Sequence, residues 1–155
     1  MNLTLRVNGA LHRLENVSGD TPLLYALRND LGLNGVRYGC GAAQCGSCTV
    51  LLDGSAVPSC ITPLASVGEA EVTTLEGLGT PERPHPVQAA FIEEQAAQCG
   101  YCTAGMIVAA AGLLQNNPAP DDDAIRTALN RNLCRCGSHD RIVRAVRNAA
   151  RRAEA

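Results

Sequence analysis

The chain has 155 residues, a formal net charge of −2 and 18% charged residues, so it carries no basic surface for nucleic acid or for an anionic membrane. Aromatic residues make up 3%, with no Trp and one Phe, which removes the stacking platforms that single-stranded nucleic acid needs. A chain of this size buries roughly 70% of its unfolded surface, so it does not need disulfides to fold and its eight cysteines call for another explanation.

Residues 1–15 alternate polar and apolar without a long apolar run, unlike a secretory signal. The longest apolar run, 104–114, is far short of the roughly 20 residues that span a bilayer. The expectation is a cytoplasmic chain without direct membrane insertion, with membrane association or export open only to a complex with a partner. In that compartment disulfides are rare, and cysteines serve metals or redox chemistry.

Residues 2–7 and 10–15 flank Asn8-Gly9 and predict a β-hairpin, because both turn positions take positive φ. Thr21-Pro22 predicts a helix start, with Thr as cap and Leu23, Leu24 and Leu27 on the apolar stripe, running to about Asn29 and stopping at Gly32. Residues 33–48 are rich in Gly and Cys and read as loop. Residues 49–52 and 55–58 predict two strands around the Asp53-Gly54 turn, and 71–74 a weaker one. Three prolines, Pro81, Pro84 and Pro86, break regular structure and place a domain boundary between 78 and 79. Beyond it the pattern is helical: 86–95, a nearly all-apolar 103–116, 121–133 opening on three Asp that suit a helix N-terminus, and 139–152.

The cysteines divide into two sets, one per predicted domain. Cys40, Cys45, Cys48 and Cys60 are spaced C-x4-C-x2-C-x11-C, and the first three follow the plant-type [2Fe–2S] spacing. Cys99, Cys102, Cys134 and Cys136 are spaced C-x2-C-x31-C-x-C. Each set has the ligand count of one cluster. The chain must then pass close to the cluster, which Gly39, Gly41 and Gly46 permit. In an extended Cys134-Arg135-Cys136 both thiolates can face one iron, so the helix before it should end at or before Cys134. Structural zinc normally takes paired C-x2-C or C-x4-C units, a poor fit to this spacing. A thioredoxin-like reading of Cys99 and Cys102 lacks the βαβ context and leaves six cysteines unexplained.

At three motifs the sequence resembles the iron–sulfur subunits of the xanthine oxidase family of molybdenum hydroxylases: Gly39-Cys40-Gly41-Ala42-Ala43-Gln44-Cys45-Gly46-Ser47-Cys48, Gln98-Cys99-Gly100-Tyr101-Cys102, and Asn132-Leu133-Cys134-Arg135-Cys136-Gly137. The resemblance implies an α+β protein: an N-terminal β-grasp domain, 1–78, like a plant-type [2Fe–2S] ferredoxin, then a four-helix-bundle [2Fe–2S] domain, 79–155. It implies two [2Fe–2S] clusters and a partner, the molybdopterin-binding large subunit, which hydroxylates a substrate carbon with oxygen from water. Gln98 and Cys136 would lie against the pterin. Electrons would pass through the second cysteine set to the first, farther from molybdenum, and then to an external acceptor. No catalytic residue is expected on this chain. Gly41-Ala42-Ala43-Gln44 and Gly137-Ser138-His139-Asp140-Arg141 are worded most like the isoquinoline 1-oxidoreductase and nicotinate dehydrogenase small subunits, which leaves either a flavin subunit or a cytochrome as acceptor, and an N-heteroaromatic or aldehyde as substrate. A free-standing ferredoxin-type carrier is the alternative.

Other polar residues read more plainly. Tyr101 is expected to pack beside the second set. His12, His85 and His139 show no ligand spacing. Arg141, Arg144, Arg147, Arg151 and Arg152 read as a solvated helix face, or as a salt-bridged contact with the partner. Arg135 either offsets the negative cluster or pairs with the large subunit. Asp121 to Asp123 lack the pattern of a Ca²⁺ loop.

Overall fold

The computed structural model describes residues 1–153. Strands β1 (Leu3–Val7) and β2 (Ala10–Leu14) form the predicted antiparallel hairpin, with Val7 opposite Ala10. Its turn residues Asn8 and Gly9 have φ of 52° and 79°. Strands β3 (Thr49–Leu52) and β4 (Ser55–Pro58) repeat the device around Asp53 and Gly54. Strand β5 (Glu71–Thr73) runs between the hairpins, parallel to β1 and antiparallel to β3, giving a mixed sheet of order β2-β1-β5-β3-β4.

The helix across this sheet has about the predicted length but is less regular. It opens as α1 (Leu23–Tyr25) and continues as a π-helical turn, Ala26–Asp30. Thr21 does not cap it: its carbonyl instead accepts from Leu64 N, and Leu23 N donates to Thr62 O. The apolar stripe is nevertheless fully used, with Leu23, Leu24, Ala26 and Leu27 buried on Leu5, Val7, Val50 and Val72. Two short helices were not expected from the sequence, α2 (Leu64–Val67) and α3 (Leu75–Leu78). Each is about one turn, too short for apolar periodicity to register.

Four longer helices build a second core: α4 (Pro86–Glu93), α5 (Thr103–Asn116), α6 (Asp122–Ala128) and α7 (His139–Ala153). Val87, Phe91, Met106, Ile125, Ile142 and Val146 meet there, and Leu75 and Leu78 pack against them. His85 opens α4 as a capping box: its Nδ1 accepts from Val87 N at 3.2 Å, and Gln88 Oε1 accepts from His85 N at 2.8 Å. Asp121 caps α6 by accepting from Ala124 N. Helix α6 ends at Ala128, short of the predicted 133, because the chain must turn there to carry Asn132 and Leu133 to the first domain. The arginines of α7 are not simply solvated. Arg144 pairs with Glu94, Arg147 with Asp122 through two hydrogen bonds, and Arg152 with Glu93, so this polar face ties α7 to α4 and α6.

The two cores join along α5, which lies on β3 and β4. Glycine permits the close approach: a Cβ at Gly105 would collide with the Gly46 carbonyl oxygen. Among the described residues no helix is long and apolar enough to cross a membrane.

Candidate metal centres

The loop before β3 wraps its own cysteine sulfurs in backbone N–H groups. Ala42 N and Gln44 N donate to Cys40 Sγ at 3.3 and 3.2 Å, Cys40 N to Cys45 Sγ at 3.4 Å, and Ala43 N to Cys60 Sγ at 3.4 Å. Ala43 adopts φ of 57° to aim its amide this way. Gly39 is required beside it, since a Cβ there would lie 2.6 Å from Cys45 Sγ. Ser59 fixes the fourth cysteine: its N and Oγ both donate to Cys48 O, at 3.3 and 2.7 Å, holding Cys60 next to Cys48.

Within this set the thiols lie as two neighbouring pairs, Cys40 beside Cys45 and Cys48 beside Cys60. The N–H groups of Ala42 and Gln44 bring the Cys40 thiol down to about 7, whereas burial pushes Cys48 up to about 11. Surrounding donors stabilise a thiolate, which is the form that binds metal. A positive centre is the counterpart that would make burial of Cys48 and Cys60 tolerable as anions.

The second set converges from three segments: the turn before α5, the start of α5, and the loop before α7. Its pairs are Cys99 with Cys136 and Cys102 with Cys134. Burial pushes Cys102 up to about 12. Burial also presses upward on Cys134, but the Ser138 amide, the Cys102 thiol and the Cys136 and Gly137 amides outweigh it and its pKa falls. The Tyr101 amide lowers Cys99. Cys134 thus lies beside Cys102, and Cys136 beside Cys99. The reason is local: the chain bends at Arg135 and Cys136 instead of staying extended, and Gly137 sits at φ of 79°.

Two pairs per set match a two-metal centre with two thiolates on each metal. The donor set, all sulfur with N–H groups around it, is the chemistry that iron–sulfide centres take.

The loops of the two sets touch. Leu133 N donates to Cys45 O at 2.9 Å, and the buried Asn132 places Nδ2 3.2 Å from Gly46 O. Tyr101 donates its hydroxyl to Tyr38 O, and the Arg37 guanidinium lies 5.3 Å from the Tyr101 ring centre. Tyr101 is half exposed and serves as a latch between the loops, its ring against Arg37 of the first domain. Sequence reading did not find Asn132 or Arg37 as part of this contact. Asn132 carries a faint signal, a polar residue placed directly before the second C-x-C motif.

Gln98 and Cys136 are both exposed and line one cleft of about 260 Å³ with Ala97, Gly137, Ser138 and Arg141. His139 begins α7, and His85 is a cap rather than a ligand.

Comparison with known proteins agrees with this geometry. Residues 5–74 match the family described as a 2Fe-2S iron-sulfur cluster binding domain, and 74–147 one described as a [2Fe-2S] binding domain. The chain is 57% identical over 148 residues to a nicotinate dehydrogenase subunit of Pseudomonas putida, covering 96% of this chain and 94% of that one. It is 48% identical to the alpha subunit of isoquinoline 1-oxidoreductase of Brevundimonas diminuta, covering 95% and 96%. The crystal structure of an aldehyde oxidoreductase from Desulfovibrio desulfuricans superposes with a TM-score of 0.94 at 46% identity, over 99% of this chain but 17% of the other.

Proposed function

This chain belongs to the small iron–sulfur subunits of the xanthine oxidase family of molybdenum hydroxylases, and on that premise we propose that it relays electrons from the molybdopterin site of a large-subunit partner to an external acceptor. The reading rests above all on one observation: eight thiols gathered in two foursomes whose loops are joined by the Leu133 to Cys45 hydrogen bond. When bound, two [2Fe–2S] clusters supply one-electron steps, which suits a molybdenum site that gives up two electrons per turnover.

The chain's own residues do the rest. Cys40, Cys45, Cys48 and Cys60 would hold one cluster, and Cys99, Cys102, Cys134 and Cys136 the other. Backbone amides of residues 40–44 and 136–138 donate to the ligand sulfurs and favour the anionic form. Leu133 N–H and Cys45 C=O give a short hydrogen-bonded bridge from one ligand loop to the other. Gln98 and Cys136, at the mouth of the same cleft, would meet the partner's pterin. Exposed Cys40 marks the side where an acceptor, a cytochrome or a flavin subunit, would dock. We place the division of the two units at 1–78 and 79–155, between their separate cores. The names of the two similar subunits favour an N-heteroaromatic substrate, with an aldehyde as the second choice.

The test is anaerobic addition of nicotinate, a quinoline or an aldehyde to the complex purified from its source. The proposal expects bleaching of the visible absorption and re-oxidation by a cytochrome or flavin acceptor. A chain that purifies with no large partner bound, yet exchanges electrons with any donor, would support the free-standing carrier instead.

A further inference from the structure

We propose that Arg37 is a positioning residue that sets the reduction potentials of both centres, an inference that rests on the cluster assignment above. Arg37 stands where the two cysteine loops meet. Its backbone N donates to Ser47 O at 3.2 Å, beside Cys48. Its guanidinium lies 5.3 Å from the centre of the Tyr101 ring, and Tyr101 sits between Cys99 and Cys102, with its own amide directed at Cys99. The Tyr101 hydroxyl closes the bracket on Tyr38 O.

One feature separates Arg37 from the other arginines, and a second adds to it. Its Nε is the one buried side-chain nitrogen or oxygen among the described residues without a hydrogen-bond partner. No carboxylate among those residues pairs with it, whereas Arg144, Arg147 and Arg152 are each matched by an acid. A buried donor left open is costly, and a cation stacked on an aromatic ring is attracted without being neutralised. Arg37 therefore places a cation with no acid partner in a partly desolvated position where the two cysteine loops meet, and both sites become more negative on reduction. Nearby positive charge favours the more anionic state, so it raises both potentials.

The experiment is redox titration followed by EPR on the intact complex, comparing wild type with Arg37→Gln and Arg37→Lys. Arg37→Gln should lower both midpoints by about a tenfold change in the reduced-to-oxidised ratio, about 59 mV for one electron, while Arg37→Lys keeps most of the wild-type value. Unchanged midpoints in Arg37→Gln, or an equal fall in Arg37→Lys, would overturn the proposal. If Arg37→Gln does not retain its centres, Tyr101→Leu carries the test: removing the ring that seats the guanidinium should lower the midpoints, and unmoved midpoints count against it. Wild-type complex without iron and sulfide would sink the cluster assignment itself, a failure separate from this one.

Discussion

Gly105→Ala should loosen the contact between the two cysteine loops, and the structure sets its size. The new Cβ meets the Gly46 carbonyl oxygen, then Gly46 C and the Ser47 Cα at 3.1 and 3.2 Å. All three are backbone atoms of the loop that carries Cys45 and Cys48, so nothing there can rotate away. Overpacking of this kind costs about 3 kcal/mol. Alanine returns about 1 kcal/mol of helix propensity in α5, leaving a net loss of about 2 kcal/mol. For a chain of this size that is a fall of about 4–8 °C in Tm. Gly112→Ala, in the same helix, is the internal control. Its Cβ meets chiefly Leu51 Cδ2 at 2.8 Å, the end of a side chain that can shift, and Gly54 O only at 3.4 Å. It gains the same propensity and should stay within about 1 kcal/mol of wild type. Thermal and denaturant unfolding of both variants in the assembled protein gives the comparison. Equal stability of the two variants would refute the argument that glycine is needed at 105 for backbone contact.

Three further outcomes follow from single contacts. Asn132→Ala removes one of the two side-chain donors to the buried Gly46 carbonyl, Thr49 Oγ1 being the other, and should cost about 0.5–1.5 kcal/mol in denaturant unfolding; no loss would show that the bond contributes nothing. His85 caps α4 through an unprotonated Nδ1, and burial lowers its pKa below the ordinary 6.5. The stability it contributes, about 1 kcal/mol for a helix cap, is therefore present above 6.5 and lost as pH falls through the lower folded value. His85→Asn should remove that dependence, and identical pH profiles of Tm would contradict it. Removal of iron should strip hydrogen-exchange protection from 37–48, 98–102 and 132–138, because the clusters crosslink these loops; retained protection would show that the loops hold themselves.

Local features of this fold were legible in the sequence. Both hairpins follow from Asn-Gly and Asp-Gly between alternating residues, and α5 from an apolar run bounded by Cys102 and Asn117. Cysteine spacing was legible because ligand geometry constrains short loops directly. What escaped depends on distant partners. Thr21 had the chemistry of a cap, but the pull of α2 turned its carbonyl to Leu64 instead. The arginines of α7 looked solvated because Glu93, Glu94 and Asp122 lie far away in sequence. The pairing of Cys134 with Cys102 and of Cys136 with Cys99 depends on a bend at Arg135 that no alternation pattern encodes. The contact of Asn132 with Gly46 spans 86 positions, beyond any periodicity. In each case the local signal was real and a tertiary contact chose between its readings.

Metal and acid-labile sulfide analysis of the freshly isolated complex, with EPR after graded reduction, tests the central claim most directly. Two thiolate foursomes predict about four iron and about four sulfide per chain and two distinguishable rhombic signals. Zinc in their place, with no sulfide and no visible absorption, would contradict the account.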